Sequence, residues 1–223
     1  MPNPKDNDVN IQATPIAGEQ VQAWPEHSAT ERRPQLRRLI AGDLVTLREF
    51  TLEDSDQVFE AAHSSRGEIA KWLPWCHANY RREETVAYLS SLPAAWASSA
   101  EFSFAIIENA TGRFVGGCGI NQLDWLHLRA NLGYWIRTDA AGRGLATAAV
   151  LALAPAALED LDLERVEIWA AVDNLPSRRV AERCGAKLEA VARRRLRMRD
   201  HQQDAAGYAF VRSDFGLRPR RGQ

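Results

Sequence analysis

From Leu39 to Arg212 the chain switches between the two hydrophobic rhythms of strands and helices, whereas residues 1 to 35 hold neither. Leu44-Val45-Thr46-Leu47 reads as a first strand. Thr51, with Asp54 three residues on, forms a capping pair ahead of a helix carrying Val58, Phe59 and Ala62 on one face. Lys71-Trp72-Leu73-Pro74-Trp75 is an aromatic cluster broken by proline. Glu83-Glu84 opens a second helix with Val86, Leu89 and Leu92 on one side, which Pro93 is expected to bend or end. Phe102, Phe104 and Ile106 alternate with Ser103 and Ala105, turn at Asn109 to Gly112, and return from Phe114 to Ile120. Gly116, Gly117 and Gly119 weaken that return strand, so a bulge is expected there, with close approach of a ligand as the other reading.

After a loop from Asp124 to Arg129, Asn131 to Ile136 is a strand, Ala148 to Leu153 is made of helix formers, and Arg165 to Val172 is again a strand. Pro176 and Ser177 open a helix that Gly185 closes. Arg193 to Arg199 as a strand would place Arg193, Arg195, Arg197 and Arg199 on one solvated face, and Ala209-Phe210-Val211 ends the pattern. Strands in a meander, then alternating with helices, make an α/β fold: a mixed, mostly antiparallel sheet with helices on both faces. The expected division is a loosely attached tail over 1–35, one domain over 36–215 and a basic tail over 216–223.

Composition narrows the function classes. A formal net charge of −1 over 223 residues argues against a globally basic nucleic-acid binder. The arginine run leaves an RNA-docking face as a weaker reading. The longest apolar run, Leu145 to Leu158, is short for a bilayer and contains Pro155, and Met1 to Asn10 lacks the apolar centre of a signal peptide. Cys76, Cys118 and Cys184 form no CxxC and leave an odd count. A reduced, cytoplasmic chain without a metal site is therefore expected.

The stretch with the most chemistry is Arg137-Thr138-Asp139-Ala140-Ala141-Gly142-Arg143-Gly144-Leu145-Ala146-Thr147, a two-glycine loop between a strand and the first turn of a helix. Unpaired amides and the helix dipole make such a place a phosphate cradle. It is neither a P-loop, lacking Lys-Ser or Lys-Thr after the last glycine, nor the three-glycine dinucleotide fingerprint.

Strand, loop and helix together resemble the acetyl-CoA-binding segment of the GNAT superfamily of N-acetyltransferases, whose pattern is Gln/Arg-x-x-Gly-x-Gly/Ala. Gly144 and Ala146 match the small positions, and Ala141 stands where Gln or Arg is usual. Gly133-Tyr134-Trp135-Ile136 and Asn174-x-x-Ser177 narrow the likeness to the RimJ/RimL type, which acetylates protein N-terminal amines and some small amines. The resemblance implies acetyl-CoA as cosubstrate, held by Ile136, Arg137, Gly142, Arg143, Gly144, Leu145, Ala146, Thr147 and Asn174. It also implies an acceptor cleft that includes Trp72, Trp75 and Tyr134. Trp72 and Trp75 are equally readable as core beside a loop.

Direct transfer of an acetyl group to an amine needs a polarised thioester oxygen, a neutral amine and a protonated leaving thiolate. The resemblance places a backbone amide near Ile136 for the first. For the second, relatives often carry Glu where this chain has Asn131. Glu108, Asp124 and His127 read as solvated loop residues, and an α-amine with a pKa near 8 is about a tenth neutral at pH 7. For the third, the tyrosine that many members use is replaced by Ala181, so the RimJ/RimL pattern offers Ser177, with Asn174 beside it. Helix capping is the competing account of both. Cys184 reads as a buried structural thiol. The departures at Asn131, Ala141 and Ala181 keep open a non-catalytic acyl-CoA-binding module. The oligomeric expectation is a monomer or homodimer.

Overall fold

The computed structural model describes residues 34–198 and 201–219. Within them, eight strands share one sheet: β1 (Leu39–Ala41), β2 (Val45–Glu49), β3 (Phe102–Glu108), β4 (Phe114–Asp124), β5 (Arg129–Ile136), β6 (Arg165–Ala171), β7 (Lys187–Arg197) and β8 (Gln202–Val211). Their spatial order is β1-β2-β3-β4-β5-β6-β8-β7, and only β5 and β6 run parallel. The expected mixed, mostly antiparallel sheet is present. The parallel pair β5–β6 is joined through the helix between Leu145 and Asp160, as a crossover requires.

Among the described residues five α-helices cover the faces: α1 (Ser55–Ser64), α2 (Arg66–Ile69), α3 (Arg82–Ala97), α4 (Leu145–Asp160) and α5 (Leu175–Arg183). Helix α4 is apolar on nearly every side because it is buried on nearly every side, from Leu145 through Val150 and Leu153 to Leu158. Asp54 does cap, accepting from the Thr51 amide at 2.8 Å.

Four expectations need correction. The first strand is Leu39–Ala41, a short edge that pairs with β2. Pro93 lies inside α3, which runs on to Ala97. Pro93 faces solvent, while Trp96 beyond it is fully buried, with Phe102 and Phe104 at ring-centroid distances of 5.0 and 5.2 Å. That packing offsets the lost hydrogen bond. Glu108 is no loop residue: it ends β3, buried, and accepts from Thr111 and pairs with Arg143. The strict alternation of the arginine run breaks, because the β7–β8 register shifts between Ala192 and Leu196 and Arg194 takes a φ of +53°. Arg199 lies outside the described residues, as do residues 1–33 of the proposed N-terminal tail and 220–223 of the basic one. The expected bulge in β4 is there, where the partners pass from Ile106–Gly116 to Ile107–Phe114 and skip Val115.

Candidate active site

The site grows out of an incomplete strand pairing. Strands β5 and β6 pair at Arg129–Arg165, Ala130–Val166 and Asn131–Glu167, and then part. On either side their other edges remain paired, β5 to β4 as far as Ile136 and β6 to β8 as far as Ala171. The sheet is thus split at one seam only. Residues 132–136 and 168–171 face each other across a cavity of about 860 Å³. Separation begins after Asn131, several residues before Ile136. The Arg137 amide donates to Val115 O at 2.9 Å, on the β4 side. Strand alternation therefore turns the Ile136 and Tyr134 amides toward the split. An amide there can donate to an oxygen on which charge develops.

At one end of the cavity lies the two-glycine loop. Gly142 and Gly144 have φ of +77° and +80°, a left-handed conformation that a side-chain-bearing residue resists. Gly144 is the N-cap of α4, and the first helical hydrogen bond is Ala148 N to Gly144 O. The amides of Leu145, Ala146 and Thr147 precede it and have no partner within the helix, so the loop fits a diphosphate. Ala141, Gly142, Gly144, Leu145, Ala146 and Thr147 all line the cavity. Arg137 and Arg143 do not. The buried Arg137 guanidinium holds Asp139 at 2.7 Å and Glu60 at 3.7 Å, and Arg143 is committed to Glu108. Each of these side chains compensates a nearby carboxylate.

Helix α5 forms the opposite wall. Asn174 Oδ1 accepts from the Ser177 amide at 3.2 Å, so Asn174 is the cap and Ser177 supplies the capped amide. The Ser177 hydroxyl is left for another partner, the Tyr134 hydroxyl at 3.0 Å; Tyr134 also donates to Ser177 O at 2.9 Å. Burial pushes the Tyr134 phenol above its ordinary range, with the Ser177 contact opposing weakly, so it stays protonated. Ala181, where a tyrosine would stand in many relatives, is fully buried and has no access to the cavity. Burial pushes the Cys184 thiol up to about 12, and its Sγ lies 3.6 Å from Thr147 O, so it is no ready nucleophile.

Trp72 and Trp75 both line the cavity, and Trp75 packs edge-on against Trp135 at 5.7 Å. Asn131 donates to Asn121 Oδ1 at 2.9 Å on the same wall. Asp124 is tied to His127 and Arg129 outside it. Sequence reasoning missed the cationic rim: Arg179, Arg183, Arg194, Arg195 and Arg197 line the cavity, and among the described residues none pairs with a carboxylate. Arg195 lies over the Trp169 ring at 4.0 Å. Unpaired guanidinium groups around one mouth favour an anionic ligand. Among the described residues no group of three or more His, Cys, Asp or Glu is placed to hold a metal, and no helix is long and apolar enough to cross a membrane.

A sheet split at one parallel seam, with a phosphate loop at its end and a paired hydroxyl beside it, defines an acyltransferase that takes its acyl group from a CoA thioester. Residues 45–187 match the profile of the Acetyltransferase (GNAT) domain, and the chain belongs to this family of N-acetyltransferases, whose acetyl donor is acetyl-CoA. It is 29% identical over 176 residues to a Bacillus subtilis protein named "Putative ribosomal N-acetyltransferase YdaF", spanning 77% of this chain and 93% of the relative. Among solved structures, Mycobacterium smegmatis RimJ in complex with CoA-disulfide superposes with a TM-score of 0.73 at 22% identity, covering 82% of this chain and 90% of that one. Microcin C7 self-immunity acetyltransferase MccE, solved with acetyl-CoA and AMP, gives 0.71 at 21% identity over 76% and 93%. At these identities the structures speak for the fold.

Proposed function

We propose that the protein acetylates a primary amine, by direct transfer from acetyl-CoA within a ternary complex, and that the amine is a protein N-terminal α-amine of the ribosomal-protein type. The observation that carries direct transfer is the split itself: one seam gives the thioester and the amine a common meeting point along residues 132–136. On this reading the amides of Leu145 to Thr147 hold the diphosphate, and the Ile136 amide polarises the thioester oxygen. Trp72, Trp75 and Tyr134 wall the acceptor side. The Ser177 hydroxyl, positioned by Tyr134 and by the Asn174 cap, delivers a proton to the departing thiolate. Similarity to YdaF, with its ribosomal name, supports the protein N-terminus over a small amine.

The test is thiol release from acetyl-CoA with a panel of N-terminal peptides and small primary amines, read beside thermal stabilisation by acetyl-CoA. Release with peptides bearing a free α-amine, and none with their N-blocked forms, is the expected result. Turnover of small amines alone would overturn the protein-terminus assignment. Stabilisation without release under every acceptor would leave a binding module in place of an enzyme.

A further inference from the structure

A smaller cavity of about 140 Å³ lies on the face of the sheet that α1 and α3 cover. The strand register explains it. Ser103, Gly119 and Gly133 stand side by side on β3, β4 and β5. Two of these three positions lack a side chain, so the sheet there offers a floor of bare backbone. A Cβ at Gly133 would meet only Asn131 Nδ2, at 4.0 Å, which shows the space above it to be open. This cavity shares the walls Leu73, Trp75, Asn121, Gly133, Tyr134 and Trp135 with the larger one. The two cavities therefore adjoin along β5.

Its one carboxylate is Glu101, half-buried just before β3. The Tyr88 hydroxyl of α3 donates to Glu101 Oε1 at 3.0 Å, and the Ser103 hydroxyl donates to the same oxygen; the two hydroxyls lie 2.9 Å apart. Among the described residues nothing donates to Oε2, and no Arg, Lys or His lines this cavity. The other titratable groups facing it are Tyr80, Tyr88, Cys118 and Tyr134. Burial, with the Glu101 charge second, holds the Tyr88 phenol well above its ordinary range, so it remains a donor to the carboxylate. A carboxylate anchored through one oxygen and open at the other is built to receive a proton or an ammonium group.

We propose that Glu101 is the proton acceptor for the attacking amine, which reaches the split over the Gly119–Gly133 floor. The amine nitrogen forms its bond to the acetyl carbon as the carbon–sulfur bond breaks. Beforehand the ammonium form of the amine gives one proton to Glu101 Oε2, directly or through one water; the proton that the nitrogen sheds as the amide forms passes through the Ser177 hydroxyl to the thiolate. The volume suits an amine head and a bridging water, whose own share is about 30 Å³. This assignment rests on the proposed acetylation of a primary amine and supplies the base that Asn131 cannot be.

Glu101→Gln keeps an oxygen for Tyr88 and Ser103 but cannot take a proton. It should lower kcat/KM for the acceptor on the order of a hundredfold or more near pH 7 and leave thermal stabilisation by acetyl-CoA unchanged. The deficit should shrink as pH rises toward the acceptor's own pKa, because solution then supplies neutral amine, and Glu101→Asp should recover part of the rate at low pH. A loss of equal size at every pH, or equal rates across pH 6 to 9 as a titration range, would overturn the assignment. A wild-type protein that acetylates no amine would instead defeat the reading on which the proposal rests.

Discussion

Removing the Ser177 hydroxyl separates a proton donor from a helix cap, and the structure sharpens what each account requires. The amide of Ser177, not its hydroxyl, closes the cap with Asn174, and Ser177→Ala keeps that amide. The stability lost is then one hydroxyl–hydroxyl bond with Tyr134, about 0.5–1.5 kcal/mol, which is roughly 1–6 °C in Tm for a domain of this size. If the hydroxyl protonates the departing thiolate, kcat should fall on the order of tenfold or more, about 1.4 kcal/mol or above in the barrier. The Michaelis constant for acetyl-CoA should barely move. Tyr134→Phe tests the positioning arm. It should slow turnover less than Ser177→Ala, and the double variant should be no slower than Ser177→Ala alone, since both act through one hydroxyl. Steady-state kinetics at saturating acceptor, with Tm measured on the same preparations, provide the readout. Normal kcat in Ser177→Ala refutes the reasoning. A larger loss in Tyr134→Phe would transfer the donor role to the phenol, which its burial keeps protonated.

Two further outcomes follow from the same geometry. Gly144→Val forces a branched residue into a φ of +80°, costing about 1–2 kcal/mol, and places a side chain where the diphosphate approaches the amides; acetyl-CoA should then no longer raise Tm, and retained stabilisation in a folded variant would remove the loop from the cofactor site. Asp54, 3% exposed, would have its pKa raised by burial, but the hydrogen bonds from Arg48 at 2.6 and 2.7 Å and from the Thr51 amide prevail and lower it. A depressed folded-state value stabilises above the unfolded value of about 3.9 and loses that contribution as pH falls through the folded value; Asp54→Asn should therefore be less stable than wild type at pH 7 and converge with it in strong acid, as chemical denaturation at the two pH values would check.

The local features of the site could be read without coordinates, because each depends on neighbours in the chain. Glycines at 142 and 144 between a branched strand and a run of helix formers specify a strand–loop–helix unit, and Asn174 three residues before the Ser177 amide specifies a cap. The crossover from β5 through α4 to β6 predicts a parallel pair, and the meander before it predicts antiparallel ones. Arg137 pairs with its sequence neighbour Asp139, but its second carboxylate, Glu60, and the Glu108 partner of Arg143 come from α1 and β3 and are not legible from the loop itself. That α3 runs on past Pro93 is not legible in the sequence, because the propensity of one residue says nothing of the burial of Trp96 beyond it.

Glu101 shows why the acceptor side is harder to read than the cofactor side. On its own it is a charged residue before an alternating strand, indistinguishable from a solvated strand end. Its chemistry depends on Tyr88, thirteen positions earlier on α3, and on two glycines that become neighbours only through the β3–β4–β5 register. The glycines of β4 stand out in the sequence, and the bulge expected of them is present, while the acceptor reading belongs to the proposal made for Glu101. At Gly116 a Cβ would strike the Trp135 carbonyl at 2.1 Å, so the glycine there serves packing beside the bulge. Gly119 also packs closely, with a Cβ meeting Phe102 O at 2.8 Å, yet it and Gly133 leave the floor of the smaller cavity bare. A phosphate is met by backbone amides that one short segment can present, whereas an amine must be met by groups gathered across strands and helices. The cofactor end is therefore written in one stretch of chain and the acceptor end is distributed over several.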